Sequence, residues 1–304
     1  MVPEGFKNIK QSKLQLFSRI KLKNVVPGER DSIYTGDGIE FATIKPFEPG
    51  DDLRDLNLVT LVQSGEEEIV QRVAGRQMTV FVLADLSGSM LRSKDMFLSS
   101  KPEIRDIVIG LLIYSAFNSY SPVGLCAFDN EIKCFLTARY GETFCDDIMS
   151  KIATQDYKTH AVPANIPAAL SCLMQKAPNQ SMVFFVSDFM EQIFEEDFTS
   201  LLRPLAKKFD FIPVVIRDPI EKDVTLKRPV SIAVKDNEGD GRAEIYLTPQ
   251  KLEEIQEASA RHLAHLACNF RNVGIEHVVM DSPSVYDCSR VLSDFFEARR
   301  RTRA

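Results

Sequence analysis

The sequence has no apolar run long enough to cross a bilayer, no cysteines in C-x-x-C spacing and no excess of basic residues. Each absence removes a class of function. The longest apolar stretch, IVIGLLIYSAF at residues 107–117, is about half of the roughly 20 residues that a membrane span requires, so it predicts a buried helix. The opening residues, MVPEGFKNIKQSKLQLFSRIK, lack the apolar core of about seven residues that a secretory leader needs. The six cysteines (Cys126, Cys134, Cys145, Cys172, Cys268 and Cys288) are scattered. Without export signals they read as buried reduced thiols, and the expected compartment is the cytoplasm. A net charge of −6 and a pI near 5.4 argue against nucleic acid, which calls for a concentrated basic face. No G-x-x-x-x-G-K-[ST] loop, dinucleotide fingerprint, G-x-S-x-G elbow or Cys–His pairing is present either.

What remains is an ordinary globular balance, 44% apolar and 26% charged over 304 residues, which predicts a sizeable core. Residues 1–75 read as an irregular, β-rich lead-in. They contain turn chemistry at Gly36-Asp37-Gly38 and Glu48-Pro49-Gly50-Asp51 and an alternating strand at residues 68–73. Residues 76–304 read differently. The continuous apolar run at 78–84 has the texture of a strand buried on both faces of a parallel sheet, and further strands are expected at 124–128, 182–187, 211–216 and 275–280. A hairpin partner is expected at 132–136. Helical stretches are expected at about 102–119, 142–153, 165–176, 195–208, 249–272 and 284–298. The alternation predicts an α/β fold with a doubly wound, mainly parallel sheet. A β-hairpin insertion at about 220–247 interrupts it and is expected to pair with the lead-in.

The chemistry gathers at strand ends. Asp85, Ser87 and Ser89 occupy the loop leaving the first long buried strand, and Asp188 ends another about a hundred residues on. In open α/β sheets ligands bind beyond the carboxyl ends of the strands, where the strand order reverses. If the two strands are neighbours there, two carboxylates and two hydroxyls converge. Such hard oxygen donors suit Mg²⁺ or Mn²⁺. An open coordination position would accept a carboxylate from outside, making the site a docking point for an acidic residue. The competing reading of the same residues is a turn and a helix cap, which Asp and Ser also favour.

The D-x-S-x-S run after an apolar strand, with a later strand-terminal Asp, resembles the metal-ion-dependent adhesion site of von Willebrand factor A domains. Gly38-Ile39-Glu40-Phe41, Pro49-Gly50-Asp51-Asp52-Leu53-Arg54, DLSGSM, VGLCAFD, VSDF and the Asp218-Pro219 exit sharpen the likeness. Together they resemble a bacterial family of unknown function that carries such domains and is associated with MoxR-type AAA+ ATPases. The resemblance covers about residues 31–296. It implies a von Willebrand factor A-like fold, metal ligation by Asp85, Ser87, Ser89 and Asp188, and an adaptor acting with such an ATPase. Two positions depart from the family. Leu58 stands where an aromatic Trp is expected, and Ala164 where the adhesion-site threonine belongs, with Thr159 in the same loop as a substitute.

Other candidates have plainer readings. Gly50-Asp51-Asp52-Leu53-Arg54 is read as an internal turn with an Arg–Asp pair. His262 and His265 lie three apart on one helix without the Glu of H-E-x-x-H. His160 is read as a solvated loop histidine. The Arg299–Arg303 tail is read as a frayed, hydrated end. Three functions compete: a protein-binding module with no enzymatic activity, a metal-assisted phosphatase-like hydrolase with Asp85 as nucleophile, and a metal-free scaffold for which Ala164 argues.

Overall fold

The computed structural model describes residues 40–46, 68–73, 78–90, 99–119, 121–155, 162–190, 198–222, 224–226, 228–235 and 242–303. These fall into two compact units, one within residues 27–78 and the other from Thr79 onward. The smaller contains one antiparallel pair, β1 (Glu40–Pro46) and β2 (Glu68–Val73).

The larger unit is an α/β structure built on one six-stranded sheet. Its strands are β3 (Val80–Asp85), β4 (Val123–Phe128), β5 (Ile132–Arg139), β6 (Met182–Ser187), β7 (Asp210–Ile216) and β10 (Val278–Met280). Their order is β10-β7-β6-β3-β4-β5. All neighbours are parallel except β4 and β5, which form an antiparallel edge. The chain therefore works outward from β3 to β4 and β5, then returns to β6 on the other side. That reversal puts the topological switch point between β3 and β6. A doubly wound, mainly parallel sheet is what the alternating sequence predicts.

Residues of β3, β4 and β6 are wholly buried, because helices cover both faces. The helices are α1 (Lys101–Asn118), α2 (Glu142–Gln155), α3 (Ile166–Lys176), α4 (Phe198–Lys208), α5 (Pro249–Asn272) and α6 (Val285–Arg303). On one face Phe81, Leu83, Phe128, Phe185 and Phe211 pack with Leu170 and Leu173 of α3, Leu202 and Leu205 of α4, and Leu266 and Phe270 of α5. On the other, α1 meets α2 and α6, and the Phe184 ring meets Phe296 edge-on at 6.1 Å. The apolar stretch at residues 107–117 is indeed the buried body of α1. Among the described residues no helix is long and apolar enough to cross a membrane.

The inserted hairpin, β8 (Val230–Lys235) with β9 (Arg242–Leu247), is a two-stranded antiparallel sheet. Several expectations need correction. The last strand is shorter than residues 275–280, because the end of α5 claims its first residues. Gly274 takes φ +71°, its N–H bonds to Arg271 O, and the Ile275 N–H bonds to Phe270 O, the pairing of a Schellman cap. The basic tail is not frayed at its start: α6 runs to Arg303, and Arg299 is buried and ion-paired. The six cysteines are all free, but Cys268 is exposed and Cys134 and Cys172 are half-buried.

Candidate functional site

Every parallel strand of the sheet leaves on or beside an aspartate: Asp85 at β3, Asp129 at β4, Asp188 at β6, Asp218 at β7 and Asp281 at β10. Four of them make the same local turn. Oδ1 accepts the N–H two residues on, from Ser87 to Asp85 at 2.8 Å, Glu131 to Asp129 at 3.0 Å, Met190 to Asp188 at 3.3 Å and Ile220 to Asp218 at 3.1 Å. This is the capping role that short acidic side chains favour. What distinguishes them is the second oxygen.

Strands β3 and β6 pair in register from Val80↔Met182 to Ala84↔Val186, so their exits are adjacent. Ser187 Oγ donates to Asp85 Oδ2 at 2.6 Å and accepts the Phe189 N–H at 2.9 Å. Phe189 sits at φ +56°, a left-handed conformation uncommon for a bulky residue. Its ring is locked in the core, 4.7 Å from the Phe185 ring centroid and edge-on to Phe270. That anchor turns the chain sharply after Asp188 and leaves Met190 exposed beside it.

On the β3 side, Gly88–Met90 forms a 3-10 turn that lays the Ser87 and Ser89 hydroxyl oxygens 3.5 Å apart. Two contacts fix this turn. The Gly88 N–H donates to Val162 O at 3.0 Å, and the fully buried Arg105 of α1 donates to Met90 O at 2.6 Å. The first contact brings the 162–165 segment alongside, where Ala164 offers no side-chain oxygen. Thr159, His160, Leu58 and Gly50 to Arg54 lie outside the described residues.

Asp85 and Asp188 are close enough to repel. Burial, then the Asp188 charge, push the Asp85 carboxyl up to about 6, against the lowering effect of its Ser187 and Ser87 hydrogen bonds. Asp188 has a resident partner that the sequence reading missed. Lys101, at the first turn of α1, brings Nζ to 3.1 Å from Asp188 Oδ2 and 2.9 Å from Glu221 Oε1. Burial pulls its pKa down, but the two carboxylates more than offset this and hold the ammonium above its usual value. Glu221 is in turn held by Ser259 Oγ at 2.9 Å. Asp218 Oδ2 takes the Ser100 N–H at 2.7 Å, fixing the start of α1 over the β7 exit. His262 of α5 points Nε2 at the Asp188 carbonyl oxygen, 3.2 Å away, and burial holds its pKa below the usual value. His265 is exposed.

The donor set is compatible with a hard divalent cation. Asp85 accepts hydrogen bonds at both carboxylate oxygens, and the Ser87 and Ser89 hydroxyls stand beside it as further oxygen donors. Among the described residues no group of three or more His, Cys, Asp or Glu side chains is arranged to hold a metal, so a cation here depends on the hydroxyls. Lys101, Ser187 and Glu221 carried one legible signal between them: a lysine opening a helix, directly before Pro102, sits against the helix dipole and needs a reason.

Comparison with known proteins adds the following. Residues 43–265 match a family described as Protein of unknown function DUF58. Uncharacterized proteins of Mycobacterium tuberculosis and Mycobacterium bovis are 22% identical over 264 residues, covering 86% of this chain and 80% of theirs. Two solved structures resemble it at lower identity. One is the conserved hypothetical protein BatB of Bacteroides thetaiotaomicron, at 15% identity and TM-score 0.43, over 72% of this chain and 99% of that one. The other is an aerotolerance-related membrane protein of Bacteroides fragilis, at 13% and 0.42, over 71% and 97%. At these TM-scores neither likeness supports a functional reading.

Proposed function

Because the chain belongs to the DUF58 family of proteins of unknown function, we propose a role argued from the site: a protein-binding module that docks partners at the carboxyl edge of β3 and β6, completed by a divalent cation. The observation behind it is the meeting of Asp85 with the β6 exit through the 2.6 Å Ser187 bond, beside two convergent serine hydroxyls. Asp85, Ser87, Ser89 and Asp188 would hold Mg²⁺ or Mn²⁺. When bound, the ion supplies a Lewis-acidic position for a carboxylate from outside. The chain's own residues prepare that position. Arg105 and the Val162 carbonyl fix the serine turn, Ser187 orients Asp85, and Phe189 anchors the turn that presents Asp188.

The resemblance of this constellation to the adhesion site of von Willebrand factor A domains supports the reading, Ala164 excepted. The partner we propose is a MoxR-type AAA+ ATPase acting in the cytoplasm, with ATP hydrolysed on the partner. In a binding assay with such an ATPase, Mg²⁺ tightens association, and EDTA or Asp85→Ala weakens it at least tenfold. An affinity indifferent to both removes the mechanism.

A metal-free scaffold is the second reading, favoured by the missing hydroxyl at Ala164 and by Lys101 already neutralising Asp188. A titration with Mn²⁺ separates the two. A hydrolase with Asp85 as nucleophile is the weakest, since that carboxylate is 1% exposed and both its oxygens are engaged. Turnover of generic phosphate esters abolished by Asp85→Asn would restore it.

A further inference from the structure

We propose that Lys101 is a built-in rival of the divalent cation: its ammonium holds Asp188 Oδ2 and so sets the cation affinity of the Asp85–Asp188 site low. The inference rests on the metal reading above and asks what this chain adds to it. Lys101 stands where a lysine is costly. It opens α1, at the positive end of the helix dipole, and its side chain is 10% exposed, so a long flexible chain has been ordered and its charge largely removed from water. Two ion pairs offset that cost, to Asp188 Oδ2 at 3.1 Å and to Glu221 Oε1 at 2.9 Å.

The placement is fixed from several sides. Asp218 Oδ2 holds the Ser100 N–H at 2.7 Å, locking the start of α1 over the strand exits. Ser259 Oγ holds the other oxygen of Glu221 at 2.9 Å, and the Arg217 guanidinium lies 3.8 Å from it. The ammonium is therefore delivered to Asp188 by a rigid frame.

Two consequences follow for a cation. Asp188 Oδ2 is already engaged by a positive charge, so a metal ion must share that carboxylate with the ammonium or displace it. A second positive charge at the same carboxylate also lies close to the first, in surroundings where screening is weak. Asp85 escapes this rivalry, because its second oxygen is bonded by the neutral Ser187 hydroxyl. The site thus has one carboxylate bonded only by neutral donors and one held by lysine. A merely structural Lys101, pinning α1 to the ends of β6 and β7, would change thermal stability and leave cation affinity alone.

The test is a titration of the full chain with Mn²⁺, read by calorimetry and by the electron paramagnetic resonance of free Mn²⁺. Lys101→Met frees Asp188 and is expected to bind Mn²⁺ at least threefold more tightly than the wild type. That variant removes the lysine partner of both Asp188 and Glu221, so Lys101→Met/Glu221→Gln is prepared beside it. The double variant keeps the wild-type net charge, removes the Glu221 charge that Lys101 balanced and still frees Asp188 from the ammonium. Circular dichroism and the melting temperature report whether each variant folds. A gain of less than threefold in the folded double variant, with Mn²⁺ binding measurable in the wild type, overturns the role of Lys101 and leaves the metal reading standing. Absence of Mn²⁺ binding from wild type and double variant alike overturns both.

Discussion

Asp85 and Asp188 differ in what neutralises them, and the difference has a pH signature. Burial first, and the facing Asp188 charge second, raise the Asp85 pKa from the ordinary 3.8 to about 6, and its only hydrogen-bond partners are neutral. Between those values the folded chain keeps a proton that the unfolded chain has lost. Stability rises with pH only where the unfolded state binds more protons, so here it falls as pH rises from about 4 to 6, and the penalty persists above. Two pKa units correspond to about 3 kcal/mol. Asp85→Asn removes that penalty but surrenders one accepted hydrogen bond, about 1 kcal/mol. The variant is therefore expected to be about 2 kcal/mol more stable than wild type at pH 7.5 in EDTA, and no more stable at pH 4. Chemical denaturation at the two values measures this; an equal difference at both would contradict the account. Asp85 and Asp188 were legible in the sequence because each closes an apolar run. Lys101, Ser187 and Glu221 were not, because nothing local says that α1 begins over the β6 exit.

At the scale of elements, the β3–β4 ladder depends on one missing side chain. Phe81 and Gly124 are register partners, and a Cβ on Gly124 would fall 2.4 Å from the Phe81 ring. That ring has little freedom to move, being wholly buried and stacked on Phe135 at 5.9 Å. Gly124→Ala should therefore cost about 1–3 kcal/mol through overpacking, measurable as a lower urea midpoint. Phe81→Leu in the Gly124→Ala background should recover part of the loss; a purely additive double variant would show that the ring is not the obstacle. The sequence marks Gly124 only as the start of a strand, since the neighbour that needs its hydrogen atom is more than forty residues away. Continuous apolar runs made the buried strands readable, whereas the true start of β10 was hidden in the backbone bonds of the preceding helix cap.

Across the whole molecule, the sheet keeps its fastening and its site at opposite ends. The carboxyl edge holds Asp85, Asp188 and Lys101, while the start of β7 is clasped by α6. There Arg299 donates to Asp210 at 2.6 and 3.4 Å and to Glu276 at 2.5 Å, with Phe295 beside its guanidinium. Asp210 opens β7 and Glu276 precedes β10, so one side chain ties the last helix to two strands. Removing one partner of a largely buried ion pair leaves the other charge exposed to its full desolvation penalty. Half of the Glu276 side chain remains in water, which lowers the expected cost of Arg299→Ala to about 2–3 kcal/mol. Because the strands between the clasp and the site are rigidly packed, the folded variant should bind Mn²⁺ with affinity within twofold of wild type, while hydrogen exchange speeds up along α6. A variant that loses its cation affinity together with its helix protection would show that the two ends of the sheet are coupled, and that the carboxyl edge is held in place from the far side of the molecule.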